Sequence, residues 1–132
     1  MFNGTTGAGG QSQNHLKSIF TRGGSTITFN ELETSILVKD PSGNTWFMDG
    51  NGNITTTAPE TMSFNCKNMN INVGENMTTS VGMNKSDSIG MNHTESVGML
   101  KNISVGIDFI TNVFGKMVEI VTGNKESRIE KD

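Results

Sequence analysis

Between residues 15 and 57, apolar and polar positions alternate in short runs separated by turn chemistry. Leu16, Ile19 and Phe20 mark the first run, Ser25 to Phe29 the second and Ile36-Leu37-Val38 the third. Thr45-Trp46-Phe47-Met48 and Asn53-Ile54-Thr55-Thr56-Thr57 follow. Period-two alternation and β-branching predict strands here. Arg22-Gly23-Gly24 and Pro41-Ser42-Gly43-Asn44 predict turns, with glycine supplying positive φ. Asp49-Gly50-Asn51-Gly52 predicts a hairpin connection. From Met62 the alternation continues as Met62, Phe64 and Cys66, then Met69, Ile71 and Val73. The change of parity between the two sets predicts a bend or a one-residue bulge near Lys67-Asn68.

Beyond Val73 the pattern becomes periodic. Val73-Gly74, Val81-Gly82-Met83, Ile89-Gly90-Met91, Val97-Gly98-Met99 and Val105-Gly106-Ile107 stand eight residues apart, and Val113-Phe114-Gly115 and Val121-Thr122-Gly123 keep the phase in looser form. A fixed short period is the mark of a repeat architecture. Eight residues suit one strand and one bend; a coiled coil repeats every seven. Numbering each octad from its Val or Ile, glycine holds position two. Position three is Glu75, Met83, Met91, Met99 and Ile107, and position five is Met77, Lys85, His93, Lys101 and Phe109. Side chains two apart on a strand share a face, so positions one and three are expected inward and Asp87 and Glu95 outward. Glycine at position two is expected to give the bend room that a Cβ would close.

A single strand-and-bend chain leaves every edge unpaired, which invites association. Three chains wound about one axis pair those edges with one another. The expected fold is therefore all-β: an intertwined triple-stranded β-helix, a trimeric prism, preceded by short antiparallel strands. A single-chain parallel β-helix is the other architecture with this periodicity. Residues 1–14 read as a flexible Gly-rich lead-in, 15–61 as short β-strands and 62–132 as the octapeptide-repeat β-helix. No strong helix signal appears, and the closing KESRIEKD leaves a frayed end or a short helix open.

Composition supports this more than a globular core or disorder. Only 33% of the 132 residues are hydrophobic and the net charge is −3. Disordered chains are also poor in apolar residues, but they are rich in charge and lack a register. A prism buries one thin column, for which methionine is an adaptable filler. Scattered charge argues against nucleic acid. No apolar run approaches membrane-spanning length, and the first residues lack a signal-peptide pattern. Cys66 is the one cysteine, so no intrachain disulfide is expected and a small buried apolar role is.

Candidate chemistry is sparse. Asp49, Asn51, Asn53 and Glu60 fall at calcium-loop positions, but Ile54 stands where such a loop needs glycine, so a hairpin turn is the expected reading. His93, between Lys85 and Lys101 at position five, could meet its symmetry mates, yet no further ligand stands at fixed spacing. The two lysines are expected to snorkel. Asp87, Ser88 and His93 are triad residue types, but they occupy repeat slots without a unique geometry. No catalytic, cofactor or metal site is expected. Trp46 and Phe47 are expected to anchor packing where the first strands meet the prism.

The stretches HLKSIFTRGGSTITFNE and ILVKDPSGNTWFMDGNGNITTTAP, followed by the Val-Gly octads, resemble the C-terminal region of VgrG-type spike proteins of type VI secretion systems. These are similar to the central spike of contractile phage tails. The motifs that carry the likeness are Gly23-Gly24-Ser25-Thr26-Ile27, Lys39-Asp40-Pro41-Ser42-Gly43-Asn44 and Gly52-Asn53-Ile54-Thr55. Ser25 departs from the pattern, where the family often has His, as do the Met-rich octads. The resemblance covers residues 15–132. It implies a homotrimeric needle, with residues 15–61 joining an upstream barrel to it. It also implies a PAAR-repeat tip protein, effectors and the secretion tube as partners. The implied location is the bacterial cytoplasm on assembly, then injection into a target cell. A fibre segment binding a surface glycan and a stalk carrying a fused effector are the other functions the sequence leaves open.

Overall fold

The computed structural model describes residues 14–130. The chain divides into two units, Met1–Met77 and Thr78–Asp132. It is all-β, with five antiparallel strands in one open sheet and, among the described residues, no helix. Residues 125–130 accordingly form no helical turn, and the flexible Gly-rich lead-in expected over residues 1–14 lies almost wholly outside the described residues.

The strands are β1 (Leu16–Phe20), β2 (Thr26–Asn30), β3 (Ser35–Lys39), β4 (Thr45–Met48) and β5 (Ile54–Thr57), paired in chain order. These are the runs that alternation predicts. Cross-strand register aligns Ile19, Ile27, Val38, Trp46 and Thr56 in one row, and Lys17, Phe29, Ile36, Met48 and Ile54 in another. Side-chain alternation puts both rows on one face, which is therefore mainly apolar. The other face carries Thr26, Thr28, Thr45, Thr55 and Thr57, with Leu37 and Phe47 among them.

The burial of this sheet is inverted relative to a self-sufficient domain. Among the described residues no hydrophobic side chain is buried; the buried ones are Thr26 and Ser35. Small side chains in the interior of the sheet are shielded by their cross-strand neighbours. The long apolar ones stand up from a single layer that no second layer covers among the described residues. A sheet normally buries such a face against a second layer.

Three of the four connections are built alike. In each, five residues link two strands, with a Thr or Asp first and a Gly fourth. The first residue's side chain accepts the backbone N–H of the fifth: Ser25 to Thr21 Oγ1 at 3.0 Å, Asn44 to Asp40 Oδ1 at 3.1 Å and Asn53 to Asp49 Oδ1 at 3.1 Å. The backbone N–H of Thr21, Asp40 and Asp49 donates to the carbonyl of the same fifth residue. The fourth residues, Gly24, Gly43 and Gly52, have φ of 90°, 98° and 92°. That is left-handed backbone, which glycine enters without strain.

After Thr57 the described residues form no further strand ladder. Instead the chain bends, at Pro59–Glu60, at Lys67 and then at regular intervals: Gly74–Glu75, Gly82–Met83, Gly90–Met91, Gly98–Met99, Gly106–Ile107, Phe114–Gly115 and Thr122–Gly123. Segments of this length have no partner for their N–H and C=O groups within one chain, so the expected strands do not close here.

Candidate functional site

The regular bends define the surface with most to offer. They fall at positions two and three of every octad, including the looser ones in which Phe114 and Thr122 replace glycine at position two. In the octads, Gly82, Gly90, Gly98 and Gly106 do not adopt positive φ, and a Cβ added to any of them would meet nothing. The bend thus does not itself require glycine. The room expected to be scarce at position two is open within the chain, so any demand for glycine comes from outside it.

The same bend separates position one from position three. Val81, Val97, Val105 and Val121 are 46–48% exposed, whereas Met83 and Met91 are each 91% exposed. The expectation that both positions face one way rested on an unbroken strand. The chain turns between them, so two-residue alternation does not carry across. Alternation does hold between bends, where positions five, seven and the next position one share a face. Met69, Ile71 and Val73 form one such set and Lys101, Ile103 and Val105 another. The intervening even positions from Asn68 to Ser96 are Asn, Thr, Ser or Gly.

That face also carries the charges. Lys101 Nζ reaches Glu95 Oε2 at 2.5 Å, and Lys125 Nζ reaches Glu119 Oε2 at 2.7 Å. Each pair spans a bend, Gly98–Met99 in one case and Thr122–Gly123 in the other. Side chains six residues apart meet across a bend only on its inner side. Lys85 pairs with Asp87 within its own octad. The Lys101 ammonium, by hydrogen bond and then by its charge, holds the Glu95 carboxyl below its ordinary range, with His93 adding to this. Asp87 and Glu95, expected outward, thus lie on the face of the Val/Ile column.

The remaining candidates fall into place locally. Asp49 is the first residue of the β4–β5 turn: its Oδ1 accepts the Asn51 and Asn53 amides and its Oδ2 the Asn53 side-chain amide at 2.6 Å. Those carboxylate oxygens face N–H donors, as in the hairpin reading of the motif. No three His, Cys, Asp or Glu side chains come together as a metal-binding group among the described residues. Cys66 is exposed. Trp46 is half exposed beside an open groove of about 570 Å³ that Val38, Thr56 and Met62 also line, within the first unit. No helix of the described residues is long and apolar enough to cross a membrane.

What sequence reasoning missed was the shared inner face of the charges. The spacing of Glu95 to Lys101 and of Glu119 to Lys125 was available in the sequence, but only the position of the bend gives it meaning. No protein-family model matches the chain, and none of the curated proteins searched matches it either.

Proposed function

We propose that this chain is a structural spike segment of a contractile injection system of the type VI secretion kind, working as a homotrimeric needle. The observation that carries the reading is the run of bends every eight residues with an apolar column exposed on their inner side. Half-exposed valines at a fixed period need covering, and identical chains cover them at the same period. The uncovered apolar face of the five-stranded sheet asks for partners in the same way. In the triple-stranded β-helix, ladder groups that have no partner in one chain pair with those of two others, leaving unpaired edges only at the ends.

The role is mechanical and not catalytic: a stiff prism that pierces an envelope and carries a tip protein or effector. By the resemblance, its partners are a PAAR-repeat tip and the secretion tube, and its path runs from the bacterial cytoplasm into a target cell. Sedimentation equilibrium tests the assembly, with an expected mass three times 14.2 kDa. A folded monomer would overturn it. For the role, removal of residues 62–132 in the organism that makes the protein should abolish delivery into neighbouring cells, and undiminished delivery would reject the spike.

The half-exposed Trp46 beside its groove favours a second reading, a fibre segment that binds a cell-surface glycan. Quenching or shift of the fluorescence of Trp46, the single tryptophan of the chain, by a glycan panel separates the two. No response is expected of a spike.

A further inference from the structure

The Val/Ile column and the bends repeat every eight residues with little variation, so by themselves they say little about which octad of one chain meets which octad of another. A chain slipped by one octad still sets Val on Val and bend on bend. Degenerate repeats of this kind slip unless something breaks the symmetry. Positions five and seven do break it. Met77 and Thr79 are uncharged, Lys85 and Asp87 are charged, and so are His93 in its protonated form and Glu95. Lys101 stands with Ile103, and Phe109 and Thr111 close the block.

We propose that Lys85, Asp87, His93, Glu95 and Lys101 form a register key, through which copies of this chain recognise one another in a single alignment. The proposal rests on the trimeric reading above. Its partner is a second and third copy of the same chain, and the warrant is charge complementarity on the face that carries the apolar column. Lys85 lies against Asp87, and Lys101 closes on Glu95 at 2.5 Å over the inner side of the bend. In the aligned assembly, the layer of Glu95 carboxylates lies next to the layer of Lys101 ammonium groups. A slip by one octad moves Phe109 of one chain into the Lys101 layers of the others. An ammonium desolvated beside an aromatic ring without its carboxylate is costly. Setting register with a few polar groups in an apolar seam is the best-attested use of buried polarity.

These carboxylates and cations are roughly half exposed in the single chain. Their pairing there is weak by itself, as for any exposed ion pair. Enclosure by two other chains is what would make the choice of partner count.

The test is a spin-label distance measurement on the full chain. Cys66→Ser removes the native thiol, and Asn92→Cys at position four carries the label. The wild-type key is expected to give one narrow interchain distance. A fivefold variant, Lys85→Met, Asp87→Thr, His93→Met, Glu95→Thr and Lys101→Met, borrows the residues of the Met77 octad. It is expected to remain trimeric in sedimentation but to gain a second, longer distance. One distance in both proteins overturns the key and leaves the trimer standing. A wild-type monomer overturns the trimer itself. Should the fivefold variant not assemble, the pair Glu95→Gln with Lys101→Gln is measured in the same way. Loss of all assembly there also overturns the key, because the charges would then drive association and not alignment.

Discussion

The Asp40 carboxylate holds Asn44 from two sides, accepting its backbone N–H at 3.1 Å and its side-chain amide at 2.9 Å. Ser42 adds its own N–H and hydroxyl to the same carboxylate. Asp49 and Asn53 repeat the arrangement in the next connection. Thus both ends of β4 are fixed by one carboxylate each.

These bonds make the sheet acid-sensitive. Donors from Ser42 and then Asn44 lower the Asp40 pKa from the ordinary 3.8 to about 2. Asn53 and the neighbouring amides lower that of Asp49. A depressed carboxyl stabilises the fold above its unfolded pKa and loses that contribution as pH falls through the folded value. Thermal stability followed by Trp46 fluorescence is therefore expected to be flat from pH 7 to about 4 and to fall between about 4 and about 2. Asp40→Asn should flatten part of that fall. An unchanged pH profile in the variant would show that Asp40 does not couple to folding.

Gly50 and Gly52 lie in one turn but differ in surroundings. Both have left-handed backbone, with φ of 80° and 92°. A Cβ on Gly52 would meet nothing, whereas one on Gly50 would lie 2.3 Å from Thr34 Oγ1 and 2.5 Å from the Glu33 carbonyl. Gly52→Ala is expected to cost about 1–2 kcal/mol, the penalty of an L-residue in that region. Gly50→Ala should cost more, because backbone of the β2–β3 connection must move. Urea unfolding of the two variants checks the order, and equal midpoints would contradict the close approach.

Val97→Asp is expected to damage assembly far more than Met91→Asp. Val97 stands on the inner side of the repeat, half covered even by its own chain, while Met91 at the bend is almost fully exposed. An unpaired carboxylate in an apolar seam is strongly disfavoured. Analytical ultracentrifugation at several concentrations is the measure. Equal losses would place Met91 inside as well.

Gly90→Val is expected to weaken the trimer with little effect on the isolated chain, since an added Cβ meets nothing there. Thr122→Val, at the same octad position, should leave assembly within about 0.5 kcal/mol of wild type. The signature is a melting temperature whose deficit depends on protein concentration for Gly90→Val. A concentration-independent deficit would locate the demand for glycine within the chain.

Unboiled protein on an SDS gel is expected to run as a trimer and to resist protease through residues 73–112. Three wound chains must separate together, so the barrier to unfolding is high. Rapid cleavage within that stretch would reject the prism.

Much of the fold was determined by sequence alone. Alternation and turn residues place all five strands within a residue or two, because each strand and each tight turn depends on chemistry a few residues long. The eight-residue phase likewise places the bends, even where Phe114 and Thr122 displace glycine. The parity change at Lys67-Asn68 foretells the bend at Lys67. Three things were decided only by the tertiary structure. Which octad positions share a face depends on where the bend interrupts alternation, so Asp87 and Glu95 share the face of the Val/Ile column while the far more exposed Met83 and Met91 stand at the bends. The likeness of the Thr21 turn to those at Asp40 and Asp49 emerges from hydrogen bonds, since its sequence shares only the fourth-position glycine with theirs. The tight place for Gly50 depends on Thr34, sixteen residues earlier in the chain. Faces and close approaches are properties of backbone direction in space, which a linear pattern determines only for as long as the strand stays straight.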